Sequence, residues 1–68
     1  PPRRVQAYAG TDRQCRGVLL AVLRDAEGAV PRRRVLDAWA SDPDQAERAL
    51  ASLLADGLVT EDAAGLAL

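Results

Sequence analysis

Leu53-Leu54-Ala55-Asp56-Gly57-Leu58-Val59 carries an apolar helical tail onto a glycine and then onto two residues suited to extended backbone. Glycine is the residue that most easily takes the left-handed conformation that closes a helix, so Gly57 marks a helix end and Leu58-Val59 a strand start. Working back from Gly57, Ala46, Ala49, Leu50, Leu53 and Leu54 recur at spacings of three and four and form one apolar stripe. Asp42-Pro43-Asp44-Gln45 supplies the start: an aspartate cap, proline at the first helical position and a glutamine at the third. Working forward, Asp62-Ala63-Ala64-Gly65 reads as a turn and Leu66-Ala67-Leu68 as a return strand, which makes a small hairpin.

The same signals recur upstream. Thr11-Asp12-Arg13-Gln14 is a capping box that opens a helix over about Asp12 to Ala26, with Cys15, Val18, Leu19, Val22, Leu23 and Ala26 on its apolar face and Gly28 as a left-handed stop. Ala29-Val30-Pro31 is too short for a full strand but suits one extended residue that pairs with the hairpin. Pro31 then opens a second helix, whose inner face carries Val35, Leu36 and Trp39. Pro1 to Gly10 has no helical period and reads as a linker or arm. The expectation is therefore a mainly α chain, with an arm over 1–10 and a domain over 11–68 built from three helices and a β-hairpin wing. That order, helix, short strand, helix, turn, helix, hairpin, is that of a winged helix-turn-helix.

Composition narrows the function. A chain of 68 residues buries only roughly 60% of the surface it exposes when unfolded, too little to wall off a catalytic cleft. It has no histidine and one cysteine, so a Cys/His metal site and an internal disulfide both lack their ligands. Cys15 has no histidine to activate it and reads as a small helix residue. Asp42 and Asp44 read as caps, Glu61 and Asp62 as solvated hairpin residues, and no glycine-rich phosphate loop is present. No autonomous enzyme is expected. No apolar run reaches membrane-spanning length and the N-terminus lacks a signal-peptide apolar region, so a cytoplasmic chain is expected.

The net charge of -1 conceals a gradient. Residues 1–34 hold eight arginines against three acids, a net of +5, and residues 35–68 hold Arg48 against seven acids, a net of -6. A winged helix ordinarily reads DNA through its third helix, yet here Gln45, Arg48 and Ser52 stand among Asp44, Glu47 and Asp56, and the wing has no cation. If DNA is contacted, the candidates for phosphate are Arg3, Arg4, Arg13 and Arg16, then Arg32, Arg33 and Arg34, and last Arg48. The arginines serve equally as a solubilising surface. Glu47 and Asp56 are candidates for a protein interface, and Trp39 reads as an inward anchor. Tyr8 lies outside the helical pattern, where it can pack back over the first helix or join another domain.

The segments PPRRVQAYAGTDRQCRG (Pro1 to Gly17) and VLLAVLRDAEGAVPRRRVLDAW, with ALASLLADGLV at Ala49 to Val59, resemble the C-terminal end of actinobacterial A/G-specific adenine DNA glycosylases. The most specific part is the aromatic-Ala-Gly-Thr-Asp-Arg-Gln motif at Tyr8 to Gln14. The resemblance implies a parent enzyme of base-excision repair that removes adenine mispaired with guanine or oxidised guanine. It also implies that the catalytic acids, the helix-hairpin-helix and an iron-sulfur cluster lie upstream of Pro1, with no cofactor in this segment. Better-known members carry a larger, Nudix-like C-terminal domain, from which this short helical chain departs. The implied role is a non-catalytic accessory domain in a nucleoid-associated enzyme, acting through weak DNA-backbone contacts or by packing on the catalytic domain. A protein-interaction module and a transcription regulator's DNA-binding domain are the alternatives. No membrane or small-molecule partner is expected.

Overall fold

A computed structural model describes residues 11–68 of the chain. The expected arm, with Arg3, Arg4 and Tyr8, lies outside the described residues. Among them, helix α1 spans Asp12–Asp25, α2 Arg32–Asp37 and α3 Pro43–Ala55, and strands β1 (Thr60–Asp62) and β2 (Gly65–Ala67) form an antiparallel hairpin. The element order and the starts of α1 and α3 agree with the sequence reading.

α1 begins because the Thr11 hydroxyl accepts the Gln14 backbone N–H at 3.1 Å and satisfies one of the unpaired donors of the first turn. The reciprocal half of the expected box is replaced: the Thr11 hydroxyl itself donates to Gln14 Oε1 at 3.0 Å. Cys15, Leu19 and Leu23, spaced by four, are buried along one face. The helix ends before Gly28. Ala26 turns extended (φ -81°, ψ 150°) and its N–H reaches Leu23 O at 3.3 Å, so Gly28 need not take a left-handed conformation and does not. Pro31 sits at the cap position of α2, one residue earlier than expected, and its carbonyl accepts from the N–H groups of Arg34 and Val35.

α3 starts on the Asp42 carboxylate, which accepts the Gln45 N–H at 3.1 Å, followed by Pro43 at a position where a missing donor costs nothing. It stops as the sequence indicates. Gly57, at φ +79°, donates to Leu54 O at 3.1 Å while Leu58 donates to Leu53 O at 3.1 Å, the paired bonds of a Schellman closure. That closure uses the Leu58 N–H and delays the strand, so β1 begins at Thr60 instead of Leu58, and Leu58 stays 49% exposed.

The hairpin pairs Thr60 with Ala67, Glu61 with Leu66 and Asp62 with Gly65. Its turn is set by the Asp62 carboxylate accepting the Ala64 N–H at 2.9 Å. Val30 provides the expected single extended residue: its N–H and C=O exchange two 2.8 Å hydrogen bonds with Leu66. The α1–α2 connection is thereby tied to the hairpin, which seats Leu66 and Val59 in one core with Leu19, Val35, Leu50 and Leu53. Each such aliphatic side chain contributes about 1.5–3 kcal/mol when fully buried.

Candidate nucleic-acid interface

The solvent face of α3 holds fewer recognition groups than its sequence suggests. Gln45, expected on the outer face, is buried. Its side-chain oxygen accepts the Trp39 indole N–H at 2.9 Å and its amide nitrogen donates to Asp12 Oδ1 at 2.8 Å, so this one residue joins the start of α1, the loop after α2 and the first turn of α3. A buried amide needs such partners, and a polar network that is fully satisfied fixes the relative positions of its elements. Cys15 packs beside it, with Sγ 3.9 Å from the Gln45 carbonyl oxygen. Burial, reinforced by Asp12 and Asp42, pushes the Cys15 thiol up, which keeps it protonated and inert at neutral pH. Ser52 turns its hydroxyl back onto the Ala49 carbonyl at 2.9 Å. Of Gln45, Arg48 and Ser52, only Arg48 is exposed.

The acids around α3 are engaged as well. Arg32 donates to both carboxylate oxygens of Glu61 on β1, at 3.0 and 3.2 Å, and to Glu47 on α3 at 3.3 Å. Arg16 on α1 pairs with Asp56, the C-cap of α3, at 2.9 Å. Two of the candidate phosphate contacts, Arg16 and Arg32, are thus held by the two candidate protein-interface acids, Asp56 and Glu47, with Glu61 completing the Arg32 clip. The hydrogen bond that Arg32 donates to Glu61, ahead of the opposing desolvation, raises the Arg32 guanidinium above its already high ordinary pKa. A raised cationic pKa contributes its stability below the unfolded value and loses it only as pH rises through the folded one, so on the arginine side this clip persists at all physiological pH. With partners about half exposed, the clip is worth no more than about 1 kcal/mol. Arg32→Ala is expected to lower the urea midpoint by that modest amount at low salt and by less at high salt.

Arg13, Arg33, Arg34 and Arg48 are exposed and form no ion pair among the described residues. Arg24, in the last turn of α1, is a fifth such cation that the sequence reading passed over; its signal was a basic residue at a helix C-terminus, where the macrodipole favours it. Arg16 and Arg48 also line a groove of about 190 Å3 between α1 and α3, with Asp12 and Ser52 on its walls. No described helix is long and apolar enough to cross a membrane.

Comparison with known proteins supplies the context that the geometry lacks. The chain is 60% identical over 63 residues to an adenine DNA glycosylase of Mycolicibacterium smegmatis, a match covering 93% of this chain and 22% of the relative. It is 60% identical over 65 residues to an adenine DNA glycosylase of Mycobacterium tuberculosis, covering 96% of this chain and 21% of the relative. The chain is homologous to the C-terminal portion of adenine DNA glycosylases. This glycosylase-related segment spans about a fifth of the length of the curated relatives it matches. No protein-family model matches it, and no solved structure does. The similarity to these glycosylases agrees with the resemblance carried by Tyr8 to Gln14.

Proposed function

We propose that this segment is a winged-helix, non-catalytic accessory domain of an adenine DNA glycosylase that acts in base-excision repair, and that it holds DNA by its backbone, independently of sequence. One observation carries this reading. Arg13, Arg24, Arg33, Arg34 and Arg48 are exposed and form no ion pair among the described residues, whereas Gln45 and Ser52 of α3 are turned inward or bonded back. Phosphate contacts position a protein on DNA, and base contacts specify. A domain with the first and without the second adds affinity to an enzyme whose selectivity resides elsewhere. In this reading the catalytic acids and the iron-sulfur cluster belong to the rest of the glycosylase chain.

The test is a salt titration of duplex binding. Each phosphate contact contributes roughly 0.9 to the slope of log affinity against log salt, so Arg33→Ala combined with Arg34→Ala is expected to flatten that slope by up to about two and to weaken binding equally on unrelated sequences. An unchanged slope, or a loss confined to one sequence, would refute backbone holding.

A second reading, packing on the rest of a glycosylase chain, is favoured by Leu58 and Leu68, which are 49% and 59% exposed. It is not favoured by Glu47 and Asp56, whose carboxylates are already paired with arginines.

A further inference from the structure

We propose that the outer ridge of α1, formed by Arg13, Gly17 and Arg24, is the surface that lies on duplex DNA, with its two arginines on backbone phosphates and the bare glycine between them at the point of closest approach. The proposal rests on the DNA-holding reading and names the element that does the holding. A helix turns about 100° and rises about 1.5 Å per residue. Arg24 therefore follows Arg13 by about three turns, and Arg13, Gly17 and Arg24 fall within about 40° of one another, on the side of α1 away from the buried Cys15, Leu19 and Leu23. All three ridge residues are exposed.

No acid of α1 stands on that ridge. Asp12 is turned toward α3, where its carboxylate accepts the Gln45 amide at 2.8 Å. Asp25 follows Arg24 directly, which sets it about 100° around the helix. Arg16 is tied to Asp56 of α3 at 2.9 Å, whereas Arg13 and Arg24 form no ion pair among the described residues. The exposed face of α3 is different: Arg48 follows Asp44 by one turn and Glu47 by one residue, both exposed, so a phosphate approaching Arg48 meets two carboxylates as well. Between the two ridge arginines, half-buried Leu20 and Ala21 offer no group that reads a base edge, as backbone holding requires.

Gly17 is the second observation. Glycine inside a helix is less favourable than alanine, and at this position nothing within the described fold requires it. No described atom comes within 4 Å of where its Cβ would be, and its φ is not left-handed. A bare backbone in the ridge lets another molecule's backbone come closer than a side chain would permit. The spacing fits a duplex. Arg13 and Arg24 are about 16 Å apart along the helix axis, at about 1.5 Å for each of the intervening steps. A DNA major groove is about 12 Å wide, so two arginine arms at that separation reach the phosphates on both of its banks while Gly17 lies above the groove between them.

The experiment uses the 68-residue chain and a duplex of arbitrary sequence, titrated over a range of salt, with a circular-dichroism melt of each variant. Arg13→Ala combined with Arg24→Ala is expected to flatten the slope of log affinity against log salt by up to about two. Gly17→Leu should move stability and binding in opposite directions. Its side chain enters open space and restricts the unfolded chain, so the melting midpoint should rise, while duplex affinity should fall because the helix is held off the DNA. A purely structural glycine would not separate the two readouts. If the wild type binds and the Arg33→Ala, Arg34→Ala pair flattens the slope but the Arg13→Ala, Arg24→Ala pair does not, the DNA-holding reading stands and α1 is not its surface. Full affinity in a folded Gly17→Leu likewise overturns the proposal. A wild type without salt-dependent binding removes the DNA-holding reading and this proposal with it.

Discussion

Gly65→Ala is expected to remove roughly 4 kcal/mol of stability, a large share of what a domain of this size has. Gly65 takes φ +133°, a conformation close to forbidden for a residue with a side chain. A Cβ built there would stand 2.4 Å from the Val30 carbonyl oxygen and 2.7 Å from its carbon. Those atoms belong to backbone, so no rotamer change relieves the overlap. The fold could respond only by separating Val30 from the hairpin, which would break both 2.8 Å bonds to Leu66 and lift a fully buried leucine from the core. Backbone strain of about 1–3 kcal/mol, two hydrogen bonds at about 0.5–1.5 kcal/mol each and part of the leucine's burial together make roughly 4 kcal/mol or more. A domain of this length has roughly 3 to 9 kcal/mol in total. Two glycines give the comparison. Gly57→Ala meets nothing within 4 Å but must hold φ +79°, and it should cost about 1 kcal/mol. Gly28→Ala has open space and no left-handed requirement, and it should be neutral or slightly stabilising. Thermal melts of the three variants by circular dichroism should rank in that order; a folded Gly65→Ala with an unchanged midpoint would show that the Val30 bridge is not needed.

The features that the sequence disclosed are those set by neighbours in the chain. The Thr11 and Asp42 caps, the apolar stripe of α3, the Gly57 closure and the turn at Asp62 all depend on residues within a few positions of one another. Periodicity outweighs side-chain polarity at Gln45. Its polarity points outward, yet it precedes Ala49 and Leu53 at spacings of four and lies on their buried stripe. The spacing was sufficient to place it inside; only its partners, Trp39 and Asp12, required the fold. The Arg32 clip is of another kind. Its three members are separated by 15 and 29 residues and meet only because the wing folds back beside α2 and α3. No local pattern encodes that meeting, and for this reason arginines that looked equivalent in sequence divide into internally paired and surface-available sets.

Gln45→Glu should convert a nearly pH-independent core contact into one that stabilises in acid and destabilises at neutral pH. The substitution preserves shape and keeps an oxygen for the Trp39 indole N–H. It replaces the amide donor that now bonds Asp12 Oδ1 at 2.8 Å with an oxygen. When that carboxyl is protonated it can still donate to Asp12, and the network survives. Once ionised it is a buried charge facing the Asp12 carboxylate. Burial and like charge both push its pKa above the ordinary value for glutamate of about 4.3. For a group whose folded pKa is raised, the contribution to stability is complete below the unfolded value and disappears as pH rises through the folded one. The variant should therefore lie near wild type below about pH 4 and fall behind by roughly 2–4 kcal/mol at neutral pH, the cost of a buried group deprived of its partner. Gln45→Leu separates the two causes. It removes the hydrogen bonds without adding a charge, so its deficit relative to wild type should be constant with pH. Urea unfolding of wild type and both variants from acid to neutral pH measures the difference directly. Parallel curves for wild type and Gln45→Glu would mean that water reaches this site and that the Gln45 bridge between α1 and α3 does not depend on exclusion of solvent.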